Sequence, residues 1–474
     1  MTRIKNPFSG NSIYYLFVLF AAMGVAGVSG YFIGYREGSV TLTSPPTHLG
    51  LINTNMTGDP GLVLDDPGQR IDFGNFWRTW HILEKNFAPT STSTRAASST
   101  EMHVVGAIEG LARSYNDPYT VFIPKKEALA FKEQVNGEFE GIGAALNQEN
   151  GVTKVVAILP HSPAEAAGLA KGALILAVDG DTTADEGLET IIPRIRGPRD
   201  TTVVLTIMRE GASQEEKLPI IRGTVAIPTT ATRVVTAAQS VIAAAAEKAR
   251  KSAAALSGAV AEAVKEKEEQ AEKQEFFVLL LAQFAKSSID AFIADLKKFA
   301  ESDTRYLIID LRNNPGGYMG VAVDLASYFL PEGALIVTDR SGAQSQAVEY
   351  RSVGHDTLNA LTSRRIVVIV NRNSASASEI LAGALQDHGV AKIVGERSFG
   401  KGSVQTLVDI GDIGSLKITI SRWFTPLGKN ISETGIVPDI LVDPADPKYA
   451  SSTDPFIDAA TETLLDDSLW EKQE

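Results

Sequence analysis

Arg365-Ile366-Val367-Val368-Ile369-Val370-Asn371-Arg372-Asn373-Ser374-Ala375-Ser376-Ala377-Ser378-Glu379-Ile380-Leu381 is the stretch that decides the fold of this chain. Its opening is an unbroken apolar run of strand length, the pattern of a strand buried on both faces of a sheet. Small residues then make a turn, and from Glu379 to Asp387 the apolar pattern returns with helical period. Tyr306-Leu307-Ile308-Ile309-Asp310-Leu311 repeats the theme, followed by a helical pattern over Val321–Phe329. Alternation of this kind predicts an α/β core. Such sheets place chemistry at the carboxyl ends of their strands, and the free N–H groups that open a helix can bind a developing oxyanion. One of Ser374, Ser376 and Ser378 can therefore be a nucleophile, and all three can equally be caps and turn formers.

A serine nucleophile needs a base. The six histidines, His48, His81, His103, His161, His355 and His388, form no evident triad. His388 falls at the far end of the helix that starts near Ser376, about 18 Å along its axis, and reads as a C-terminal cap beside Gly389. Lysine can replace histidine where burial lowers its pKa. Lys401, in Ser398-Phe399-Gly400-Lys401-Gly402-Ser403-Val404-Gln405, is the candidate, the alternative being an exposed loop lysine. If a strand follows, Gln405 shares its face and could orient the amine. Gly395 and Gly400-Lys401 nearly spell a phosphate-binding loop, but Gly402 stands where a Ser or Thr would hold Mg²⁺, and Val404–Val408 reads as strand.

Outward from this centre, 474 residues suggest about three domains at roughly 150 residues each. A hydrophobic fraction of 44% and a charged fraction of 21% exclude a wholly disordered chain and a multi-pass membrane protein. The net charge of −13 offers no basic footprint for nucleic acid. With no cysteine, thiolate metal sites, disulfides and a cysteine nucleophile are excluded.

Residues 6–35 carry no formal charge and are long enough to span a bilayer, which takes about 20 residues as a helix. Arg3 and Lys5 precede them, so the rest of the chain is expected outside the cytoplasm, periplasmic or external, on a single-pass anchor. A cleaved signal peptide is the rival reading. Residues 37–68 read as a tether. Phe73, Phe76, Trp77, Trp80, Ile82 and Leu83, then Met102 to Tyr115, predict two helices. From Gly137 short apolar runs predict a compact β-rich domain containing one short helix, capped by Ser162 with Pro163 at its first position. Residues 237–274 are alanine-rich and favour helix. Asp454–Leu465 reads as a final amphipathic helix.

Ser374-Ala375-Ser376-Ala377-Ser378-Glu379-Ile380 followed by Gly400-Lys401-Gly402-Ser403-Val404-Gln405 resembles the carboxyl-terminal processing peptidases, or tail-specific proteases, which are Ser/Lys endopeptidases. Asp310 to Tyr318, Asn116-Asp117-Pro118-Tyr119, Gly137 to Gly143 and Thr434 to Asp439 carry the same resemblance, which covers about residues 70–225 and 276–465. It implies Ser376 as nucleophile, Lys401 as general base and Gln405 as the residue orienting the amine. The oxyanion donors would come from Ala377 and from Gly316 or Gly317, with no metal or cofactor. The β-rich domain resembles a PDZ module, which takes a protein's free C-terminal tail as an added strand. Ile142, Gly143 and Ala144 match its carboxylate loop, and Arg196 is a candidate peptide sensor. The match departs at Gly172-Ala173-Leu174, where the family usually has an acidic residue after the glycine.

The resulting expectation is a multidomain α+β protein. It has a membrane anchor or signal-anchor at 1–36, a linker at 37–68, a helical module at 69–132 and a PDZ domain at 133–225. An Ala-rich insertion at 226–275 leads to an α/β protease core of the ClpP/crotonase-like type at 276–445 and a C-terminal helix at 446–474. Its partners would be protein or peptide tails and the membrane, with a homodimer through helical termini expected from the resemblance. The alternatives are a catalytically silent, membrane-tethered PDZ scaffold and a hydrolase dependent on His388.

Overall fold

A computed structural model of the chain describes residues 72–88, 100–149, 151–237, 274–341, 347–355, 361, 364–450 and 452–470. The expected membrane helix within residues 6–35, the linker 37–68 and residues 238–273 of the Ala-rich insertion lie outside the described residues. Among the described residues, no helix is long and apolar enough to cross a membrane.

Helices α1 (Gly74–Asn86) and α2 (Thr100–Arg113) occur where the aromatic and apolar spacing predicts them. The segment after them is not purely helical: strand β1 (Val121–Pro124) leaves it to join a sheet of the core, and helix α3 (Lys125–Asn136) ends on Gly137 in the left-handed conformation, φ 72°. A β-rich unit follows, in the order β2 (Glu138–Gly141), β3 (Ala144–Glu149), β4 (Val152–Ile158), α4 (Pro163–Ala166), β5 (Leu174–Val178), β6 (Asp181–Thr182), α5 (Leu188–Ile195), β7 (Thr202–Met208), β8 (Glu215–Ile221) and β9 (Gly223–Ala226). As the sequence predicts, Ser162 Oγ accepts from Glu165 N–H at 3.3 Å to cap α4. The sheet runs β3-β4-β5-β7-β8 with β6 on β5, while β2 pairs with β9, so β3 is an edge strand. Alternate residues of these strands, among them Val155, Ile175, Val203, Leu205 and Ile207, share one core with Ile191 and Ile195 of α5.

Strand β10 (Thr230–Thr236) begins the second large unit, which continues with β11 (Glu275–Leu281), α6 (Ser288–Ala300), β12 (Tyr306–Asp310), α7 (Met319–Ala326), β13 (Leu335–Arg340), β14 (Val348–Arg351), β15 (Arg365–Val370), α8 (Ala377–Asp387), β16 (Lys392–Gly395), β17 (Ser403–Ile410), β18 (Gly414–Phe424), β19 (Ile440–Leu441) and α9 (Pro455–Leu465). One sheet has the order β10-β11-β12-β15-β16-β19, parallel except at its β10 edge. The other is antiparallel, β1-β18-β13-β14 with β17 also on β18.

The apolar runs are buried on both faces, which explains why they show no alternation. Phe277, Leu279, Leu307, Ile309, Ile366 and Val368 pack against α6, α7, α8 and Trp423 of the second sheet. Phe276, Val278, Ile308, Val367 and Ile369 face the other way and are covered by Ile457, Ala460 and Leu464 of α9. Arg312 fastens this last helix: its guanidinium binds Asp310 at 2.6 Å and Asp454, the α9 cap, at 2.8 Å. The chain thus delivers the carboxyl ends of β12 and β15 to one edge, with α8 between the two sheets.

Candidate active site

The loops that leave β12 and β15 are stitched together. Asn313 and Asn371 exchange hydrogen bonds at 2.9 Å in both directions, and Ala375 N–H donates to Asn314 O at 3.0 Å. Two of the three serines in the turn are held by this stitching. Ser374 Oγ donates to Leu311 O at 2.8 Å, and Ser378 Oγ donates to Asn314 O at 2.9 Å. Ser376 differs from both. It is almost fully buried and sits at φ 55°, ψ −115°, a conformation that a side chain rarely adopts and that stores strain. Strain of this kind marks strand-to-helix turns that present a nucleophile.

The Ser376 backbone is secured by Glu379, whose carboxylate is fully buried. Its Oε2 accepts from Ser376 N–H at 2.8 Å and from Lys401 N–H at 3.0 Å, while its Oε1 accepts from Ser398 Oγ at 2.6 Å and Gly400 N–H at 2.7 Å. Burial pushes the Glu379 carboxyl up, and the four donors oppose that shift. One carboxylate therefore ties the serine turn to the lysine loop. Ser-x-x-Glu at 376–379 is a capping-box pattern, the local signal from which Glu379 could have been found.

Lys401 is about as buried as the serine, so it is not an exposed loop lysine. Its Nζ has no hydrogen-bond partner among the described residues and lies 5.4 Å from the centre of the Tyr119 ring. Desolvation, aided by the charge of Lys417 and opposed by Glu379 and Asp117, drives the Lys401 pKa well below its ordinary value. Trp423 Nε1–H donates to Lys401 O at 3.0 Å, so the loop is also fixed from the sheet behind it.

Gln405 lies on β17, as the strand pattern predicts, and is fully buried. Its amide nitrogen donates to Ser403 Oγ at 2.9 Å and Thr419 Oγ1 at 3.3 Å, and its Oε1 is buried without a hydrogen-bond partner. No hydrogen bond joins it to Lys401 in this structure.

The Gly316-Gly317 turn lies against the serine. A Cβ on Gly316 would stand 2.6 Å from Ala375 O, 2.8 Å from Ser376 Cβ and 2.9 Å from Ala377 N. Gly316 N–H is already engaged, donating to Asn314 Oδ1 at 2.9 Å. Gly317 N–H and Ala377 N–H have no acceptor among the described residues. Asn314 is the hub of this side of the site, since its amide also donates to Leu281 O at 2.7 Å. His388 caps the far end of α8 and bonds Leu335 O at 2.7 Å, away from the serine turn.

In the β-rich unit the Ile142 and Gly143 carbonyls are taken by Ala164 N–H at 2.7 Å and Leu159 N–H at 2.9 Å. Their own N–H groups have no acceptor among the described residues. Ala144 begins the edge strand β3, with α5 packed beside it. Arg196 follows α5; its guanidinium stacks 4.7 Å over Phe139 and binds Glu133 of α3 at 3.1 Å.

The family model for peptidase family S41 matches residues 277–442, and that for the PDZ domain matches residues 154–209. A carboxy-terminal-processing protease of Bartonella bacilliformis is 32% identical over 352 residues, covering 73% of this chain and 71% of that protein. The chain belongs to peptidase family S41. A protein of Staphylococcus haemolyticus named as a probable CtpA-like serine protease is 30% identical over 345 residues, 73% of this chain but only 60% of that protein's length. The carboxy-terminal processing protease CtpB of Bacillus subtilis is 29% identical over 367 residues, 77% of this chain and 68% of that one. This S41 chain is accordingly a multidomain α/β serine peptidase of the carboxy-terminal processing type, with a PDZ domain beside the peptidase core.

Proposed function

We propose that the chain is a membrane-anchored endopeptidase that captures protein C-terminal tails through its PDZ domain and cleaves peptide bonds with Ser376 and Lys401. The observation that carries this reading is the shared Glu379 carboxylate, which ties the strained Ser376 turn to a buried lysine whose amine has no hydrogen-bond partner among the described residues. Neutral Lys401 takes the Ser376 hydroxyl proton as Oγ attacks the peptide carbonyl carbon, and gives that proton to the leaving amine as the C–N bond breaks. Water then hydrolyses the acyl-enzyme, with Lys401 again the base.

Gly317 N–H and Ala377 N–H are the donors for the oxyanion, and Gly316 serves by letting the turn approach Ser376. Gln405 Oε1 is the acceptor that steadies Lys401 once substrate has ordered the site. A tail adds to the β3 edge and places its carboxylate at the Ile142 and Gly143 N–H groups, with Ala144 beginning the paired strand. Arg196, braced between Phe139 and Glu133, links that groove to α3. The uncharged segment 6–35 supplies the anchor. The exposed Phe76, Ile82, Leu83 and Phe87 around α1 favour a second copy as the cover for the N-terminal helices.

The test is digestion of peptides with varied free C-termini by the wild-type and Ser376→Ala proteins. Cleavage confined to the wild type, and weakened by amidating the C-terminus, is the expected result. Equal cleavage by the Ser376→Ala protein would overturn the reading.

A further inference from the structure

Two lysines are among the largest fully buried side chains of the described residues: Lys401 and Lys417. The mechanism uses only the first. Lys417 lies on β18, opposite Leu407 of β17 on one side and Val121 of β1 on the other. Its Nζ is 5.8 Å from the centre of the Phe131 ring of α3. On the same strand, Thr419 lies opposite Gln405 and receives its amide N–H. Lys417 thus belongs to the layer that holds the candidate base.

The turn between α2 and β1 connects the β18 strand, on which Lys417 lies, to the Lys401 pocket. Thr419 N–H donates to Thr120 Oγ1 at 3.1 Å, and Thr120 Oγ1 donates to Asp117 Oδ2 at 2.6 Å. Tyr119 N–H donates to Asp117 Oδ1 at 3.2 Å, and the Tyr119 ring carries Lys401 Nζ. The Asp117 carboxylate thereby joins the β18 layer to the Lys401 pocket. The charged and titratable groups that act on Lys401 are Asp117 from this turn, Glu379 from α8 and Lys417 from β18; Tyr119, beside the amine, is itself influenced by Glu379, Asp117 and Glu433. Asp117 also acts on Lys417.

We propose that Lys417 is a positioning residue of the reaction, whose buried ammonium, set across the Asp117 turn from Lys401, holds the Lys401 amine in the neutral form that accepts the Ser376 proton. The proposal rests on the reading of Lys401 as the base. Like charges inside a protein repel strongly because little water screens them. Of the two amines, the one with weaker support from carboxylates or water is the one that gives up its proton. Burial lowers the Lys417 pKa only to about 8, with Asp117 opposing the shift, so Lys417 remains charged around neutrality. Lys401 falls further, with Lys417 as its second cause after desolvation.

The experiment is the pH profile of kcat/KM for a peptide with a free C-terminus, measured on the full chain. The variants are Lys417→Met, Lys417→Gln, Lys417→Arg and Asp117→Asn, with circular dichroism to confirm folding. In parallel, ¹³C NMR of the lysine ε-carbons in the Ser376→Ala background, with and without Lys417→Met, follows the Lys401 amine directly. Removing the Lys417 charge is expected to move the acid limb to higher pH, with a several-fold loss of activity on its acid side, and to raise the Lys401 titration. Lys417→Arg is expected to restore the wild-type limb. Asp117→Asn keeps the acceptor for Tyr119 N–H, lowers the proton affinity of both amines and is expected to move the limb to lower pH.

An unmoved limb in a folded Lys417→Met or Lys417→Gln protein would overturn the proposal while leaving Lys401 as the base. Should neither neutral variant fold, the ¹³C titrations in the Ser376→Ala protein decide: a Lys417 amine that loses its proton at lower pH than Lys401 overturns it. Full activity of a Lys401→Ala protein instead removes the underlying base assignment, an outcome distinguishable from both.

Discussion

Ser376 and Lys401 donate their backbone N–H groups to one and the same oxygen, Oε2 of Glu379, at 2.8 and 3.0 Å. A buried carboxylate with four donors is a stiff joint, because releasing any of them leaves a polar group unsatisfied. The two candidate reacting groups are therefore positioned by a common anchor rather than by two independent loops.

Replacing either reacting group should remove the chemistry and leave the fold. Ser376→Ala and Lys401→Ala are each expected to lower kcat/KM by about 10⁴-fold or more, whereas His388→Ala retains activity because His388 caps the far end of α8. Peptide cleavage with a folding control by circular dichroism measures this. Substantial cleavage by both variants would remove the Ser/Lys mechanism.

Glu379→Gln tests the anchor. One carboxylate oxygen becomes an NH₂ group facing N–H or O–H donors, so the turn must shift. A displacement near 1 Å costs about 10²-fold in rate, and the unsatisfied donors cost about 1–3 kcal/mol of stability. Steady-state kinetics should show the loss in kcat more than in KM, and urea unfolding should show the lower stability.

The pH dependence follows from the direction of the Lys401 shift. Burial lowers its pKa well below the usual lysine value, so the neutral, proton-accepting form dominates at lower pH than in water. Activity is expected to rise with pH through that depressed pKa and to fall as acid protonates the amine. A kcat/KM profile that stays flat down to about pH 5 would count against a lysine base.

Gly317→Ala probes the turn beside the serine. Gly317 adopts φ 146°, and a Cβ there would stand 2.2 Å from Phe284 O, a backbone atom that cannot rotate away. The turn must open, and the expected cost is about 1–3 kcal/mol with activity lost as its N–H moves. Thermal unfolding and peptide cleavage together check this, and unchanged values in both would show that the turn tolerates the displacement.

Arg312→Met tests the attachment of the last helix. Asp310, 1% exposed, would keep its charge without its partner, and Asp454 would be left with its longer contact, 3.7 Å, to Arg233. Breaking a buried pair from one side costs about 3–5 kcal/mol, so the urea midpoint is expected to fall accordingly.

Much of the fold was legible from periodicity. The continuous runs 306–311 and 365–370 became β12 and β15, and the pattern from Glu379 to Asp387 became α8. Ser162 capped the helix it precedes, and the pattern Asp454–Leu465 became α9, with Asp454 as its cap instead of its first residue. These are local effects, settled by neighbours a few residues away. The strand β1 was not anticipated, since its four residues become a strand only by pairing with β18. Among the three serines the sequence left the choice open, because it depends on which hydroxyls the Leu311 and Asn314 carbonyls capture from another loop.

Residue types, spacing and the family resemblance identified the Ser376 turn, the Lys401 loop and the Gln405 strand, since each is written in a short contiguous stretch. Only the tertiary structure decided that Lys401 and Lys417 are both buried, that Glu379 joins the serine turn to the lysine loop, and that Gly317 rather than Gly316 keeps its N–H available. The reason is that desolvation and hydrogen-bond competition depend on every group packed around an atom, and those groups come from α3, β1, β18 and the loops after β12, far away along the chain.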